Sequence, residues 1–310
     1  YNTGVWPISL ETSSCRMVMN QDGSIQVQVG ETEIGQGADT AFAQMAAETL
    51  GIPFDMVHVM TMQDTDITPF GLGAYASRQT YMAGFSIRQT AELLKSHVLD
   101  TAVEMTRQMK ENLDIIDGNI VRATDGSVLM SLGELATEKL YSLTNCGHLT
   151  AESTYQIKNN AYSFGCTFAE VEVDIPGCRA TLTNIVNVHD SGKLINPKLA
   201  AAQVHGGMSM GLGYGLSEEL LFDAKGRPLN DNLLDYKLPT AMDTPDLNAL
   251  FVELDDPTGP FGNKALGEPP AIPVAPAVRN AVLNATGVAV DSLPMDPQKM
   301  VKHFKEAGLI

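Results

Sequence analysis

The sequence predicts an α+β fold with two domains. Stretches in which apolar and polar residues alternate are mixed with stretches of helical spacing, without a regular strand–helix–strand repeat. The 310 residues are enough for two packed domains, and the 44% of hydrophobic and 18% of charged residues are typical of a globular chain. We place the boundary at residue 144, which gives domains of residues 1–144 and 145–310.

The first domain is predicted to begin with a strand and a helix. Its elements are a strand over residues 24–33, a helix over 40–50, a short strand over 56–60, a helix over 77–109 and a hairpin over 114–131. Gly51 can end the first helix, because glycine readily takes the left-handed conformation that closes many helices. Asp125-Gly126 is a turn sequence typical of hairpins.

The second domain is predicted to combine paired strands with two helices. Its elements are strands over residues 168–175 and 180–189, a helix over 197–215, strands over 217–222 and 247–254, and a helix over 276–285. Pro176-Gly177 separates the first two strands and indicates a turn. Pro276 suits the first turn of the last helix, where the missing N–H group is not needed.

The composition argues against several classes of function. The net charge of −17 disfavours a general nucleic-acid binder and attachment to an anionic membrane. No apolar run reaches the roughly 18 residues that a membrane span requires. The opening residues, Tyr1 to Trp6, lack the basic and apolar parts of a secretion leader, so a cytoplasmic location is expected.

The four cysteines show no spacing typical of a metal site. Cys15, Cys146, Cys166 and Cys178 are far apart, and none belongs to a C-x-x-C pair. A local zinc or iron–sulfur site is therefore not expected. Reduced thiols are the ordinary state of such cysteines in the cytosol.

Gly35-Gln36-Gly37 lies where the first strand gives way to a helix. Glycines allow the backbone to approach a ligand closely, and a helix N-terminus presents N–H groups to an anion. The spacing matches neither the P-loop nor the dinucleotide-binding glycine pattern. These residues alone fit a structural turn as well as a cofactor contact.

A second loop, over residues 73–80, combines small and polar residues at the start of the long helix. Ala76, Ser77, Arg78 and Gln79 are suited to binding a phosphate or another polar cofactor group. The alternative is an ordinary helix start that is capped by Ser77, with Arg78 in solvent. The stretch by itself favours that alternative.

Residues 190–215 form a third, glycine-rich stretch, which includes Gln203. Its glycines indicate either close helix packing or the approach of a bound group, and packing is the more common reason. A single histidine, such as His189 or His205, is more often a hydrogen-bonded structural residue than a ligand.

The fourth stretch is Gly267-Glu268-Pro269-Pro270, which lies among apolar residues and prolines. A carboxylate held there would be partly desolvated, which suits a general base. The alternative is an exposed loop glutamate, which is the more common situation for a single glutamate.

Together and in this order, the four stretches resemble the xanthine dehydrogenase and aldehyde oxidoreductase family of molybdenum hydroxylases. The resemblance covers nearly the whole chain, from Asp22-Gly23-Ser24 to the helix beyond Pro276. It includes Tyr162-Ser163-Phe164-Gly165 and the strand residues from Ala169 to Asp174. The resemblance implies that the chain is the C-terminal half of the molybdopterin-binding region.

The resemblance also implies the roles of individual residues. Glu268 is expected to be the catalytic base, and no residue is expected to bind molybdenum directly, because the pterin supplies the ligands. Met210 and Glu31 depart from the family pattern, in which xanthine-oxidising relatives have glutamine and some relatives have glycine, respectively. Contacts with the cofactor are expected from Gly35, Gln36, Gly37, Ala76, Ser77, Arg78, Gln79 and Gln203.

An assembly of several chains is a further implication. The arrangement is most similar to nicotinate dehydrogenases of anaerobic bacteria, in which the molybdopterin region is split and this chain would be the medium subunit. The expected partners are a larger molybdopterin subunit, an FAD subunit and an iron–sulfur subunit with [2Fe-2S] clusters, and NADP is expected as a further cofactor of the assembly. The expected cofactor of the chain is Mo-molybdopterin as the cytosine dinucleotide, with a terminal sulfido or selenido ligand on the metal.

The implied function is hydroxylation of a small aromatic N-heterocycle, with nicotinate as the first candidate and water as the oxygen source. Electrons would pass to the iron–sulfur and FAD subunits. Xanthine, another purine or an aldehyde are alternative substrates within the same family. A non-catalytic subunit that holds the cofactor for another chain is the alternative from a different class, and the intact motif around Glu268 argues against it.

Overall fold

The computed structural model describes residues 1–4 and 10–310, so Val5 and Trp6 of the opening stretch lie outside the described residues. The chain divides into two compact units. The N-terminal unit consists of Asn2–Ala161 and Asp255–Lys264, and the C-terminal unit consists of Tyr1, Tyr162–Leu254 and Ala265–Ile310. The expectation of molybdopterin-binding subdomains at 1–144 and 145–310 stays a prediction.

The strands of the N-terminal unit form two sheets, one mixed and one antiparallel. The strands are β1 (Thr12–Met19), β2 (Ile25–Val29), β3 (Val57–Val59), β4 (Leu113–Ile116), β5 (Asn119–Arg122), β6 (Val128–Ser131) and β7 (Thr150–Gln156). The larger sheet has the order β3-β2-β1-β7, with β2 and β3 parallel and the other pairs antiparallel. Along β2, Ile25, Val27 and Val29 are buried, which is the alternation that predicted this strand.

The helices of this unit are α1 (Ala38–Leu50), α2 (Gln79–Thr106) and α3 (Leu132–Leu140). Gly51 ends α1 in the left-handed conformation, as predicted, and its N–H donates to the Ala47 carbonyl. Ile87, Ala91, Leu94 and Val98 of α2 are fully buried, and the helix packs against α1, β1 and β7. No helix in the described part of the chain is long and apolar enough to cross a bilayer.

The predicted hairpin over residues 114–131 is a small sheet of three strands, in the order β4-β5-β6. Turns at Asp117-Gly118 and Asp125-Gly126 separate these strands, and three of the four turn residues have a positive φ. Ser131 then begins α3 through a capping box with Glu134, a signal that the sequence contained and the prediction did not use.

The C-terminal unit contains a sheet with helices packed on it. Its elements are β8 (Phe164–Asp174), β9 (Arg179–Asp190), α4 (Pro197–Leu216), β10 (Leu247–Phe251), α5 (Val274–Thr286) and α6 (Pro297–Glu306). The sheet order is β10-β9-β8, and the antiparallel β8–β9 pair turns at Pro176-Gly177 as predicted. Ile185, Val204 and Val278 belong to the core between sheet and helices. The α+β fold is confirmed.

The strand predicted over residues 217–222 is wrong. Only an isolated bridge between Phe222 and Pro228 forms in this region. The Asn230 side chain takes the place of a neighbouring strand, since it accepts from the Leu221 N–H at 2.8 Å and donates to the Glu219 carbonyl at 2.7 Å. Backbone groups that a side chain has already satisfied do not need a ladder partner.

Candidate functional site

The glycine loop at Gly35-Gln36-Gly37 leads into α1, but an internal carboxylate occupies its N–H groups. Glu33 accepts from the N–H groups of Gly35 at 2.7 Å, Gly37 at 3.0 Å and Asp39 at 3.1 Å. Burial alone would raise the pKa of Glu33, but these backbone donors outweigh burial and lower the pKa below its ordinary value. The sequence predicts an anion at this helix N-terminus, and the Glu33 carboxylate of the chain itself takes that place.

Gln36 and Gln79 join the first two predicted stretches. The Gln36 Nε2 donates to the Gln79 Oε1, and both side chains donate to the Thr32 carbonyl. The Gln36 Oε1 also accepts from the Ile34 N–H at 2.7 Å. The two amides thus use most of their hydrogen-bonding capacity to hold the loops together.

The loop before α2 has an unusual backbone at Ala76 and Ser77. These consecutive residues have φ values of +50° and +52°, a region that side chains other than glycine rarely enter. Such residues cost on the order of 1–3 kcal/mol each and persist where the surroundings hold them in place. The Ala76 carbonyl accepts from the Gly4 N–H at 3.1 Å.

Arg78 is the residue that holds this loop from inside. Its guanidinium donates to the carboxylates of Glu11 and Glu31 and to the carbonyls of Thr12 and Gly73. All three charged side chains are completely buried. Bonds to both ends of residues 73–78 fix the loop relative to β1 and β2.

The alternative of an ordinary helix start, with Ser77 as the cap and Arg78 in solvent, is wrong on both points. Arg78 is buried rather than in solvent, and Ser77 does not cap α2, because the N-cap position is Arg78 and has no side-chain cap. The physical reason is long-range: Glu11 and Glu31 lie 67 and 47 residues away in sequence, so the helix start does not reveal them.

One guanidinium serves two buried carboxylates, and the charge state of Glu31 reflects this. Burial raises the pKa of Glu31, and the hydrogen bond from Ser13 and the charge of Arg78 offset that effect only in part. The Ser13 hydroxyl donates to Glu31 at 2.7 Å and lies 3.0 Å from the Ser86 hydroxyl.

Gly30 and Gly71 allow the backbone at the end of β2 to touch the loop that leads to Ala76. A Cβ on Gly30 would lie 2.3 Å from the Gly71 nitrogen, and a Cβ on Gly71 would lie 2.4 Å from the Gly30 carbonyl carbon. Real Cβ atoms do not approach backbone atoms this closely, so both positions require glycine.

Glu268, in the C-terminal unit, is exposed in the described chain, while Pro269 and Pro270 beside it are buried. The desolvated surroundings expected for its carboxylate are therefore not provided by the described residues of this chain. Its role as a base stays a prediction.

Three side chains hold the turn that carries Glu268. Ser163 Oγ donates to the Ala265 carbonyl at 2.6 Å, Gln203 Nε2 to the Gly267 carbonyl at 3.3 Å, and Asn187 Nδ2 to the Pro270 carbonyl at 2.9 Å. We call residues 265–270 the Glu268 turn. Gln203, expected to contact the cofactor, contacts this turn; Asn187 was not predicted, because a single asparagine in a strand carries no motif.

Glycines of α4 pack against the end of the same turn. A Cβ on Gly207 would lie 2.6 Å from the Pro270 Cβ, and a Cβ on Gly211 would lie 2.8 Å from the Ala271 carbonyl oxygen. Close packing therefore explains these two glycines, as the sequence favoured for this stretch. Met210, on the same helix, is exposed (68%).

His189 is buried next to Asn187 on β9, one of the strands that hold the Glu268 turn. Gly165, its partner on β8, leaves room for the ring, since a Cβ there would lie 2.6 Å from the His189 Nδ1. Burial lowers the pKa of His189. Neither ring nitrogen has a hydrogen-bond partner in the described part of the chain, which differs from the hydrogen-bonded histidine expected from sequence.

Over residues 1–4 and 10–310, no group of three or more His, Cys, Asp or Glu side chains is arranged to hold a metal ion. The family model described as "Molybdopterin cofactor-binding domain" matches residues 1–245. The chain belongs to this family. The resemblance of the chain to the molybdenum hydroxylase family is thereby confirmed.

Similar proteins agree with the family. The xanthine dehydrogenase molybdenum-binding subunit of Escherichia coli O157:H7 is 50% identical over 312 residues, covering 100% of this chain and 42% of that protein. Subunit gamma of the 6-hydroxypseudooxynicotine dehydrogenase complex of Paenarthrobacter nicotinovorans is 30% identical, covering 91% of this chain and 36% of that protein. The chain thus spans less than half the length of these relatives.

The fold is also found in a solved structure. Quinoline 2-oxidoreductase from Pseudomonas putida 86 has a TM-score of 0.90 and 27% sequence identity, and the match covers 99% of this chain and 41% of that chain. The likeness therefore extends over both units of the molybdopterin-binding chain.

The loops of the N-terminal unit fit a pterin better than a phosphate group held by arginine. Gly35 and Gly73 have positive φ values and no heavy atom within 4 Å of a Cβ position, so there is space for a ligand beside their Cα atoms. The side chains of Gln36 and Gln79 are polar and uncharged, which suits the donors and acceptors on a heteroaromatic ring. Four of the five N–H donors of Arg78 are bonded to residues of the chain.

Proposed function

We propose that the chain supplies part of the molybdopterin site and the general base of a molybdenum hydroxylase. The observation that carries this proposal is the Glu268 turn, in which three side chains fix the backbone around an exposed glutamate. A rigid backbone with an outward carboxylate is suited to a catalytic group that acts on a substrate bound above it. An ordinary surface glutamate needs no such support.

The proposed reaction converts an aromatic C–H group and water into a hydroxylated ring, two electrons and two protons. A bound molybdenum cofactor supplies the electron acceptor and an activated oxygen from water. The Glu268 carboxylate accepts a proton from the oxygen nucleophile as the carbon–oxygen bond forms. General-base assistance of this kind contributes on the order of 100- to 10,000-fold in rate.

The loops of the N-terminal unit are proposed to contact the pterin through their backbone. Ala76 and Ser77 hold a strained conformation, and such backbone strain is concentrated at ligand-binding loops. Gly35, Gln36, Gly37 and Gln79 complete this surface. Arg78 is proposed to act by holding the loop rather than by touching the cofactor.

The proposed substrate is an aromatic N-heterocycle. Xanthine, 6-hydroxypseudooxynicotine and quinoline, which name the relatives above, all contain an aromatic ring with nitrogen. The 50% identity to a xanthine dehydrogenase subunit favours a purine, whereas the similarity to the arrangement of nicotinate dehydrogenases favoured nicotinate. Xanthine, nicotinate and an aldehyde are therefore all tested as substrates in the experiment below.

We propose that the remaining parts of the enzyme are supplied by amino-acid sequence other than these 310 residues. The chain covers 42% of the Escherichia coli relative, which is itself named a subunit. We propose a larger molybdopterin partner, an FAD subunit and a [2Fe-2S] subunit, with the pterin as the cytosine dinucleotide and NADP serving the assembly. The substrate pocket then closes over Glu268 when the larger partner is in place.

The experiment is the Glu268→Gln variant of the molybdenum-loaded assembly, assayed with xanthine, nicotinate and an aldehyde. We expect turnover of the preferred substrate to fall at least about 100-fold, because glutamine has the same shape and no basic oxygen. Molybdenum content, measured by mass spectrometry of the metal, is expected to stay at the level of the unchanged protein. Glu306→Gln, at an exposed position of α6, is the matched control.

Two results would contradict the proposal. Normal turnover of Glu268→Gln would show that the chain only holds the cofactor for another subunit. If Glu268→Gln lost both its molybdenum and its turnover, Glu268 would be assigned to holding the cofactor instead of moving a proton.

A further inference from the structure

The Glu268 turn depends on donors from outside itself. Pro269 and Pro270 have no N–H groups, so the turn has few donors of its own. The N–H of Ala271, the residue after the turn, donates to the Glu268 carbonyl at 3.0 Å. Side chains from other elements donate to three further carbonyls of the turn.

We infer that Asn187 is a positioning residue for Glu268; this inference rests on the proposed function. The Asn187 side chain is completely buried, and its Nδ2 donates to the Pro270 carbonyl at 2.9 Å. Because this carbonyl lies two residues after Glu268, the bond sets the direction in which the chain leaves the turn.

Asn187 lies on the central strand of the sheet in the C-terminal unit. β9 is the central strand, and Asn187 is paired with Thr167 of β8 on one side and Ala249 of β10 on the other. A residue with strands on both sides cannot shift without disturbing two ladders. Its amide thus transmits the position of the sheet to the Glu268 turn.

The amide of Asn187 is not explained by the packing of the core. Its Oδ1 has no hydrogen-bond partner in the described part of the chain. The bond from Nδ2 to the Pro270 carbonyl is therefore the interaction that requires a polar side chain here. An apolar residue of similar size would fill the same space without a buried polar oxygen. The fold alone does not require an asparagine here.

The test begins with Asn187→Leu in the molybdenum-loaded assembly. Leucine fills a similar volume and donates no hydrogen bond, so we expect the assembly to fold and keep its molybdenum. We expect kcat to fall on the order of 100-fold, as for a catalytic group displaced by about an ångström, while KM changes little. Asn187→Ala is the second variant if the leucine variant does not fold.

A double-mutant cycle with Glu268→Gln separates positioning from a general structural effect. If Asn187 acts through the Glu268 carboxylate, Asn187→Leu has no further effect on the residual turnover of Glu268→Gln. Asn184→Leu is the matched control, because Asn184 lies on the same strand with its side chain exposed. That variant is expected to keep normal kcat and KM.

Three outcomes would overturn the inference. Normal kcat in Asn187→Leu, together with an inactive Glu268→Gln, would leave the proposed function intact and remove the positioning role. An equal further loss in the Glu268→Gln background would show a general structural effect. Loss of molybdenum from both Asn187 variants would assign the residue to cofactor retention. By contrast, full activity of Glu268→Gln would refute the proposed function itself.

Discussion

The two loops proposed to serve the site are held in place by opposite means. In the N-terminal unit, the loop at Ala76 and Ser77 rests on a buried ionic cluster in which Arg78 binds two carboxylates. In the C-terminal unit, the Glu268 turn is held by neutral side chains that donate to its carbonyls. The first arrangement uses charge inside the protein, and the second leaves the one charged side chain outside.

This difference matches the tasks that we propose for the loops. A loop that presents strained backbone needs strong restraint, and charge-assisted hydrogen bonds in a buried cluster supply it. A general base must keep its own charge available, so charged neighbours in its support would compete with the reaction. Neutral donors fix the backbone of the Glu268 turn without that competition.

The largest effect is expected when the ionic support is broken. Arg78→Met leaves Glu11 and Glu31 buried without their cation, and we expect the free energy of unfolding to fall by about 3–5 kcal/mol. Urea unfolding measures this loss. Arg88→Met is the control on the same helix, because its pair with Glu92 is exposed (47% and 55%) and is expected to contribute under about 1 kcal/mol. Equal losses in both variants would contradict the role given to the cluster.

A smaller effect is expected when the neutral support is disturbed through packing. Gly207→Ala places a Cβ 2.6 Å from the Pro270 Cβ, and we expect a loss of about 1–3 kcal/mol with reduced turnover. Gly206→Ala, one residue earlier, has no atom within 4 Å and is expected to stabilise α4 by about 0.5–1 kcal/mol. Thermal unfolding of the two variants gives the comparison. A stable, fully active Gly207→Ala would show that α4 does not constrain the turn.

The smallest effect concerns the charge state inside the cluster. Because the pKa of Glu31 is raised, the folded protein binds this proton more readily than the unfolded chain, and stability is lost as pH rises above 4.5 through the folded-state pKa. Glu31→Gln removes this loss, so its Tm relative to the unchanged protein should increase with pH. Thermal unfolding at about pH 5 and pH 8 tests the trend. A Tm difference that does not depend on pH would show that Glu31 is charged throughout the range.

Local patterns in the sequence were sufficient for most of the fold. The helices α1, α2, α4 and α5 and the β8–β9 pair have apolar spacing and turn residues that depend only on near neighbours. The strand predicted over 217–222 failed because Asn230 satisfies the backbone there, and one asparagine in a loop gives no such indication. β1 was missed although Cys15, Met17 and Met19 are buried, since small polar residues precede this short alternation.

Sequence motifs named the residues proposed to meet the ligand, and they did not name the residues that support them. The motif around Glu268 did not indicate that this side chain is exposed while Pro269 and Pro270 are buried. Arg78 and Asn187 act through partners 47 to 83 residues away, which no local spacing reveals. A sequence therefore names the residues that meet a ligand more readily than those that hold them.

The crossing of Gly30 and Gly71 has a consequence for how this chain tolerates change. The segment between these glycines, which includes α1 and the edge strand β3, begins and ends where Gly30 contacts Gly71. Insertions within that excursion leave its entry and exit where they are, and lengthening a surface loop costs little entropy. Divergent versions of the chain can thus vary in length there while both glycines, and the loop after them, stay unaltered.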